Sequence, residues 1–331
     1  MTQTLTVGCD LFLDLKLYHV PKEYLNNLRR DQPEVEILPV NLRNGQPSPP
    51  PDLEIYWGNR ITPEIISSLP RLKWIHFGSV GVNRAQTKDV VERKILVTNS
   101  KDVMTAAVAS SALAMMLALA RGLHRCWKLR QEGNLSRESY DCYFDNTHEL
   151  EGQVCLIVGF GQIGVRLAKV CTALGMRVDA VGRTSISAKE ISGRRFSLAQ
   201  LKQAVREADY IVNLLPLTPL TLKVFDREIF LAMRKNAFFI NVGRGETVCE
   251  ADLVQALQDQ TIAGAGLDVF EKEPLSADSP LLRLSEVIIT PHIAGLTNRY
   301  WERECALFKE NVRRYKRGEK LLNLINMEKG Y

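Results

Sequence analysis

A glycine-rich turn in the middle of the chain constrains the fold more than any other segment. It follows an apolar, strand-like stretch, Val154 to Val158, and it reads Gly159-Phe160-Gly161-Gln162-Ile163-Gly164. A helix-like stretch comes next, and a second strand-like run covers Arg177 to Val181. In this context the first glycine permits a tight turn, the second lets the backbone approach a pyrophosphate, and the third lets the helix pack on the strand. The pattern predicts a dinucleotide-binding turn; the alternative is a glycine turn that only packs.

The end of the second strand predicts which dinucleotide binds. Turns selective for NAD usually carry Asp or Glu there, which accepts hydrogen bonds from the ribose hydroxyls. Here Gly182 stands at that position, and Arg183, Thr184 and Ser185 follow it. A cation and two short hydroxyl donors suit a 2′-phosphate. We therefore expect NADP(H) to be preferred, with NAD(H) as the second cofactor, unless the arginine only lies in a solvated turn. Asp179 lies too early on the strand to replace the missing acid.

Composition narrows the class of protein. A length of 331 residues suits two domains with separate cores. The net charge of +5 comes without a dense Lys/Arg run, which argues against a nucleic-acid surface. Seven scattered cysteines form no CxxC pair, so we expect reduced thiols and neither a disulfide framework nor a metal site. No cationic segment precedes an apolar core at the N-terminus, and we expect a cytoplasmic protein.

One uncharged segment, Val103 to Ala120, is long enough to raise the question of a membrane span. Thr105, Ser110 and Ser111 interrupt it, and alanines dominate the rest. A buried helix explains the segment equally well, and we expect no contact with a membrane.

Strand-like and helix-like patterns alternate along the whole chain, which predicts an α/β fold with parallel sheets flanked by helices. Because the glycine turn opens the second half, the first hundred residues are expected to form a separate domain. A helix is expected over Arg299 to Lys316. The other predicted strands are Thr4 to Val7, Val35 to Leu38, Leu53 to Trp57, Leu72 to Phe77, Ile95 to Thr98, Tyr210 to Leu214, Ala237 to Val242, Ala263 to Leu267 and Val287 to Thr290.

Three strand ends in the second half carry side chains suited to hydride-transfer chemistry. They supply Arg244, Glu273 and His292. Ligands of open α/β sheets bind beyond the carboxyl ends of the strands. An arginine there can bind a carboxylate with two hydrogen bonds, and a histidine can exchange a proton while an acid orients it. A single histidine after a strand is more often structural, and a glutamate before proline is usually a loop residue. It is their joint occurrence behind a dinucleotide turn that predicts an active site.

The chain resembles the D-isomer-specific 2-hydroxyacid dehydrogenase family over nearly its whole length, most specifically from Glu151 to Thr297. The matching motifs, besides the glycine turn, are Leu215-Pro216-Leu217-Thr218, Asn241-Val242-Gly243-Arg244-Gly245, Asp268-Val269-Phe270 with Glu273-Pro274, and Pro291-His292. The resemblance implies a D-stereospecific oxidoreductase that moves a hydride between NADP(H) and a small 2-oxo or 2-hydroxy acid. The run from Gly182 to Ser185 looks most like that of NADPH-dependent glyoxylate/hydroxypyruvate reductases.

The resemblance also assigns roles to residues. Arg244 would bind the substrate carboxylate and carbonyl, His292 would be the general acid/base, and Glu273 would pair with His292. The backbone amides of Val80 and Gly81 would cradle the substrate carboxylate. The remaining family positions would contact the cofactor. Asp268 would hold the nicotinamide carboxamide, and Leu215 and Pro216 would line the adenosine side. Val242, in the motif that contains Arg244, would also contact the cofactor.

The family implies a Rossmann-type cofactor domain inserted in a flavodoxin-like substrate domain. The substrate domain would be residues 1–100 completed by 298–331, and the dinucleotide-binding domain would be 101–297. A homodimer is expected from the resemblance, from the apolar helix around Ala106 to Ala120 and from the aromatic loop Tyr140 to Phe144. Ser110 replaces a glutamate found in many members. The alternative function is that of an NAD(P)(H)-sensing binding protein, since corepressors resembling C-terminal binding protein keep the same Arg, Glu and His.

Overall fold

The computed structural model describes residues 4–11, 19–40, 49–182 and 191–327. The chain divides into two compact units, and each is described by itself. The first unit comprises residues 1–104 and 296–331, and the second unit comprises residues 105–295.

The first unit contains a five-stranded parallel sheet in the order β2-β1-β3-β4-β5. This is the strand order of flavodoxin-like folds. The strands are β1 Leu5–Cys9, β2 Val35–Pro39, β3 Ile55–Gly58, β4 Trp74–Phe77 and β5 Leu96–Asn99, and the helices are α1 Lys22–Asp31, α2 Pro63–Ser68, α3 Lys88–Glu92 and the C-terminal α11 Tyr300–Lys316. Apolar residues of β3 and β4 face α11, where Trp57 stacks on Phe308 with ring centroids 4.2 Å apart.

The second unit contains a seven-stranded parallel sheet in the order β12-β11-β10-β9-β6-β7-β8. Its strands are β6 Val154–Val158, β7 Arg177–Val181, β8 Arg195–Phe196, β9 Tyr210–Asn213, β10 Phe238–Asn241, β11 Gly264–Leu267 and β12 Val287–Ile289. Its helices are α4 Thr105–Ala120, α5 Leu123–Gln131, α6 Arg137–Tyr140, α7 Gln162–Ala173, α8 Leu201–Ala204, α9 Arg227–Ala232 and α10 Glu250–Gln258. Counted within the unit, the order is 3-2-1-4-5-6 with one strand added, which is the Rossmann order.

The predicted fold class is confirmed by these two parallel sheets flanked by helices. In the second unit the strand order reverses between β6 and β9, and such a switch point is where open α/β sheets bind ligands. The glycine turn follows β6 at this point. The polar segments singled out in the sequence follow β9, β10, β11 and β12, so they share the same edge of the sheet.

The helix predicted from about Val103 begins at Thr105 and ends at Ala120, the last residue of the uncharged segment. Gly122, with a φ of +63°, then turns the chain into α5. Ala112, Met116 and Leu119 are buried in the core of the second unit, against β10, β11 and α7. In the described parts of the chain, no single helix is long and apolar enough to cross a bilayer; by length and composition alone, the pair α4 and α5 reaches that size, with a 65° bend between them.

Candidate active site

The glycine turn after β6 has the geometry that its sequence predicts. Gly159 has a φ of +97°, and a Cβ built on it would lie 2.7–2.8 Å from backbone atoms of Leu214 and Leu215. A side chain is therefore excluded where β6 and β9 diverge. A Cβ on Gly164 would lie 3.2 Å from Ile157 and 3.3 Å from Phe160, so the third glycine lets α7 pack closely on the strand.

The helix that follows this turn presents free donors to open space. A Cβ built on Gly161 would meet nothing within 4 Å, and no side chain caps α7. The amides at the start of a helix have no partner within the helix, and the helix dipole makes this end positive. Gln162 and Ile163 contribute the first of these amides. The turn therefore fits the pyrophosphate of a dinucleotide in shape and in charge.

The end of β7 is described only as far as Gly182, whose amide donates to the carbonyl of Phe196 at 3.1 Å. Arg183, Thr184 and Ser185 lie outside the described residues. Asp179 is buried in mid-strand, and its carboxylate accepts hydrogen bonds from the backbone amide of Arg194 at 2.8 Å and from the guanidinium of Arg194 at 3.0 Å. This carboxylate is therefore held by the sheet and does not stand at the strand end.

Three buried polar residues connect the ends of β9 and β10. The side-chain amide of Asn213 donates to Asn241 Oδ1 at 3.0 Å and to Thr247 Oγ1 at 2.7 Å. The Oδ1 atom of Asn213 accepts from the amide of Leu215 at 3.1 Å. One asparagine thus fixes the turn that carries Leu215, which is buried, and Pro216, which is exposed.

Arg244 follows β10 and is positioned by its backbone. The hydroxyl of Thr247 donates to the carbonyl of Arg244 at 2.6 Å, and Asn241 Nδ2 donates to it at 3.4 Å. Gly243 and Val242 precede the arginine and are buried. The guanidinium donates to the carbonyl of Gly243 through Nη1 at 2.8 Å, and no carboxylate of the described chain lies within ion-pair distance of it. The rest of its planar fork is available for an anion.

Asp268 follows β11 and organises the segment after β12. Its Oδ1 accepts from the hydroxyl of Thr290 at 2.6 Å and from the amide of Ile293 at 2.8 Å. Its Oδ2 accepts from the amide of Ala294 at 2.9 Å, and its carbonyl accepts from the amide of His292 at 2.8 Å. A carboxylate has about four acceptor positions, so the three donors leave one free.

Glu273 and His292 are in contact. The imidazole Nδ1 lies 2.6 Å from Glu273 Oε2, and the amide of Phe270 donates to the other carboxylate oxygen at 3.2 Å. About half of the His292 side chain is exposed (51%). Because Nδ1 faces the carboxylate, the free nitrogen Nε2 can face a substrate. A carboxylate that orients an imidazole in this way forms an acid/base pair.

Val80 and Gly81 lie in the first unit, in the loop that follows β4. Their backbone amides have no hydrogen-bond partner among the described residues, while the carbonyl of Val80 accepts from Asn99 Nδ2 at 2.7 Å. Two adjacent free amides can bind a carboxylate.

The fold and these strand ends define an oxidoreductase with a nicotinamide dinucleotide cofactor. The sequence matches the family described as "D-isomer specific 2-hydroxyacid dehydrogenase, NAD binding domain" over residues 113–294. The chain belongs to this family of 2-hydroxyacid dehydrogenases. The glyoxylate reductase of Pyrococcus furiosus is 34% identical over 273 residues, which cover 81% of this chain and 80% of the relative.

Solved structures of similar proteins cover nearly the whole chain. A D-isomer specific 2-hydroxyacid dehydrogenase from Xanthobacter autotrophicus Py2, in complex with NADPH and MES, has a TM-score of 0.84 and 25% identity, with full coverage of both chains (100%). An NADPH-dependent glyoxylate/hydroxypyruvate reductase from Sinorhizobium meliloti, in complex with NADP and malonate, has a TM-score of 0.79 and 25% identity, with 98% of each chain covered. The resemblance inferred from the motifs is thereby confirmed at the level of the family.

Reasoning from the sequence missed three residues whose hydrogen bonds fix the backbone of the candidate site. Asn213 accepts from the amide of Leu215, Thr247 donates to the carbonyl of Arg244, and Thr290 donates to the carboxylate of Asp268. One signal was available, because Asn213 and Thr290 are polar residues that close apolar strands. Within the described ranges, no group of three or more His, Cys, Asp or Glu side chains could hold a metal ion.

Proposed function

We propose that this protein reduces small 2-oxo acids of the glyoxylate and hydroxypyruvate type to D-2-hydroxy acids, with NADPH as the preferred reductant. The contact between His292 Nδ1 and Glu273 Oε2 carries the proposal. It supplies an oriented acid/base on the edge of the sheet that bears the dinucleotide turn and Arg244.

The residues would share the work as follows. In the second unit, Arg244 binds the carboxylate and carbonyl of the substrate with its free guanidinium N–H groups. In the first unit, the free amides of Val80 and Gly81 are suited to a carboxylate. His292, protonated and held by Glu273, donates a proton from Nε2 to the carbonyl oxygen. A nicotinamide cofactor, when bound, would supply the hydride for the carbonyl carbon. Asp268 fixes the segment of His292, and its remaining acceptor position suits the nicotinamide carboxamide.

The preference for NADPH is proposed from Gly182 and from the run Arg183-Thr184-Ser185. A glycine at the strand end removes the carboxylate that would repel a 2′-phosphate, and Asp179 is engaged with Arg194. Two structurally similar family members were solved with NADPH or NADP bound, which supports the same choice.

A two-fold homodimer is proposed from apolar side chains that remain exposed on the second unit. Trp127 on α5 is 59% exposed, and Phe144, in the 3₁₀ helix Asp141–Asn146, is 76% exposed. On α4, Met115, Met116 and Leu119 are buried within the unit, whereas Leu117 is 37% exposed. Exposed aromatic residues favour a partner surface, and light scattering of a monomer at micromolar concentration would overturn the dimer.

Steady-state reduction of glyoxylate with NADPH tests the function directly. Turnover by the wild type that is lost in His292→Ala, with dinucleotide binding retained, would support it. A wild type that reduces no 2-oxo acid with NADPH or NADH would overturn it.

A further inference from the structure

The loop that follows β4 has its carbonyl groups fixed by hydrogen bonds from within the first unit. Three successive carbonyls accept one donor each, and the donors come from the end of β5 and from helix α11. The pairs are the Tyr300 hydroxyl with the carbonyl of Gly78, the Ser100 amide with that of Ser79 at 3.1 Å, and Asn99 Nδ2 with that of Val80 at 2.7 Å. The loop is therefore held through its carbonyl oxygens.

These hydrogen bonds decide where the free amides of the loop point. In a planar trans peptide group the C=O and the N–H point in opposite directions, and the peptide groups of this loop are trans. Because the Ser79 carbonyl faces Ser100, the N–H of Val80 points away from the end of β5. The Val80 carbonyl faces Asn99, so the N–H of Gly81 also points away from the end of β5. Neither amide has a hydrogen-bond partner among the described residues.

The free amides lie in an exposed part of the loop. Val80 is 41% exposed, and Gly81 is exposed as well. Asn99 is buried, with an exposed fraction of 4%. The hydrogen bonds that orient the loop are thus on its buried side, and an anion can reach the amides from solvent. Two adjacent N–H donors in such a position suit a carboxylate.

The carboxamide of Asn99 is fixed in one orientation. Its Oδ1 accepts from the amide of Lys101 at 3.2 Å, while its Nδ2 donates to Val80. Exchanging the two atoms would set a donor against the Lys101 N–H and an acceptor against the Val80 carbonyl. The backbone is fixed too, since the Asn99 carbonyl accepts from Asn323 Nδ2 at 3.1 Å. Asn99 can therefore impose its geometry on the loop.

We propose that Asn99 is a positioning residue for the substrate carboxylate, because its hydrogen bond to the Val80 carbonyl turns the Gly81 amide toward the anion. The inference rests on the proposed function, since it assumes that this loop binds the carboxylate of a 2-oxo acid. Asn99 lies on the buried side of the loop, so it acts on substrate binding and neither on proton transfer nor on dinucleotide binding.

The test is Asn99→Ser. A serine hydroxyl can still accept from the Lys101 amide, as in an ST turn, and it adds no charge, but it is too short to reach the Val80 carbonyl. KM for glyoxylate should rise about tenfold, as for one hydrogen bond to a charged group, while kcat and the dissociation constant of NADPH change by less than about twofold. The inhibition constant of oxamate, an analogue that cannot be reduced in the same way, should rise by the same factor as KM.

Gln32→Ser is the matched control. Gln32 is also buried in the first unit, with an exposed fraction of 7%, and its Nε2 donates to the carbonyl of Lys309 at 2.9 Å. The control therefore removes the same kind of hydrogen bond, from a side-chain amide to a backbone carbonyl, at a different place. It should lower the melting temperature and leave both KM for glyoxylate and inhibition by oxamate unchanged.

The outcomes separate the inference from the proposed function. A wild type that reduces no 2-oxo acid overturns both. An active wild type, with a folded Asn99→Ser that keeps the wild-type KM and oxamate inhibition, overturns only the role of Asn99. A loss confined to kcat or to the melting temperature does the same. If Asn99→Ser fails to fold, Asn99→Asp keeps the shape and the Lys101 contact, and an unchanged KM in that variant overturns the inference equally.

Discussion

The imidazole Nδ1 of His292 lies 2.6 Å from Oε2 of Glu273, and the buried Asp268 fixes the backbone of the histidine in this pair. His292 has a φ of +54°, in a backbone region that residues other than glycine seldom adopt. The carbonyl of Asp268 accepts the His292 amide, and the Asp268 carboxylate accepts the next two amides, of Ile293 and Ala294. Backbone strain at such a point persists only where its surroundings fix it, and here the hydrogen bonds of Asp268 fix the backbone that carries the His292 imidazole.

Glu273→Gln should slow 2-oxo acid reduction and leave dinucleotide binding nearly unchanged. The substitution keeps the shape of the side chain but removes the carboxylate that lies 2.6 Å from His292 Nδ1 and orients the imidazole. A less well oriented imidazole should lower kcat for glyoxylate, though by less than the loss of the imidazole itself. The measurement is kcat and KM for wild type and variant.

His292→Ala is the comparison for this experiment. It should lower kcat by about 10²–10⁴-fold at every pH, the range for loss of a general acid, with little change in NADPH affinity. A wild-type kcat in Glu273→Gln would mean that the carboxylate does not orient His292 for the reaction.

Thr247→Val should weaken substrate binding and leave dinucleotide binding nearly unchanged. Valine has the shape of threonine but removes the hydroxyl that donates to the Arg244 carbonyl at 2.6 Å and accepts from Asn213 at 2.7 Å. The looser backbone at Arg244 should raise KM for glyoxylate by about three- to tenfold, the equivalent of one uncharged hydrogen bond. Thr247→Ser keeps the hydroxyl and should restore KM. Equal KM values for Val and Ser would show that the hydroxyl does not position Arg244.

Two glycines of the same turn should respond differently to alanine. Gly159→Ala places a Cβ within 2.8 Å of backbone at a φ of +97°, so it should destabilise the protein by at least about 1–3 kcal/mol. Gly161→Ala meets open space and should leave the melting temperature nearly unchanged while it weakens NADPH binding, because the new methyl group occupies the approach of the pyrophosphate. Thermal melts and fluorescence titration with NADPH measure the two effects. A Gly161→Ala variant with wild-type affinity would remove the turn from the cofactor site.

Substitutions at the end of β7 should weaken or reverse the preference for NADPH over NADH. Gly182→Asp introduces a carboxylate beside the proposed 2′-phosphate, and Arg183→Ala removes its cation. Each should reduce the ratio of kcat/KM for NADPH to that for NADH by about ten- to a hundredfold, the value of one charged hydrogen bond. Arg206→Ala, an exposed arginine in a 3₁₀ turn, is the control. Equal use of NADPH and NADH by the wild type would contradict the preference.

Periodicity and strand-end position predicted most of the fold because parallel α/β sheets bury whole strands. The runs Val154 to Val158 and Arg177 to Val181 match β6 and β7 at both ends. The two-residue strand β8 has no periodicity to reveal it; it forms because Ala180 pairs with Arg195 at the edge of the sheet. Helix α4 ends at Ala120, where the uncharged segment of the sequence also ends, and the left-handed Gly122 turns the chain into α5.

The candidate site, like the fold, could be predicted from the sequence only in part. Arg244 and His292 could be found because chemistry-bearing residues follow predicted strands. The support for them could not, since a hydrogen bond between Asn213 and Thr247 joins residues 34 positions apart. The carboxylate of Asp268 was assigned to the cofactor from the family motif, whereas its observed donors come from residues 290 to 294. Only coordinates reveal that these segments meet.

Acid should destabilise this protein partly through His124 on α5. Burial lowers the pKa of His124, and the cation of Arg125 acts in the same direction. As the pH falls through about 6.5, the ordinary pKa of histidine, His124 takes up a proton in the unfolded chain but stays neutral in the folded chain. The free energy of unfolding must therefore decrease over this range as the pH falls. His124→Gln removes this loss of stability. The free energy of unfolding of the variant, relative to wild type, should therefore increase as the pH is lowered from 7.5 to 5.5. Urea unfolding at both pH values, at one protein concentration, measures the change, and a difference between the two proteins that is independent of pH would exclude His124 as the cause.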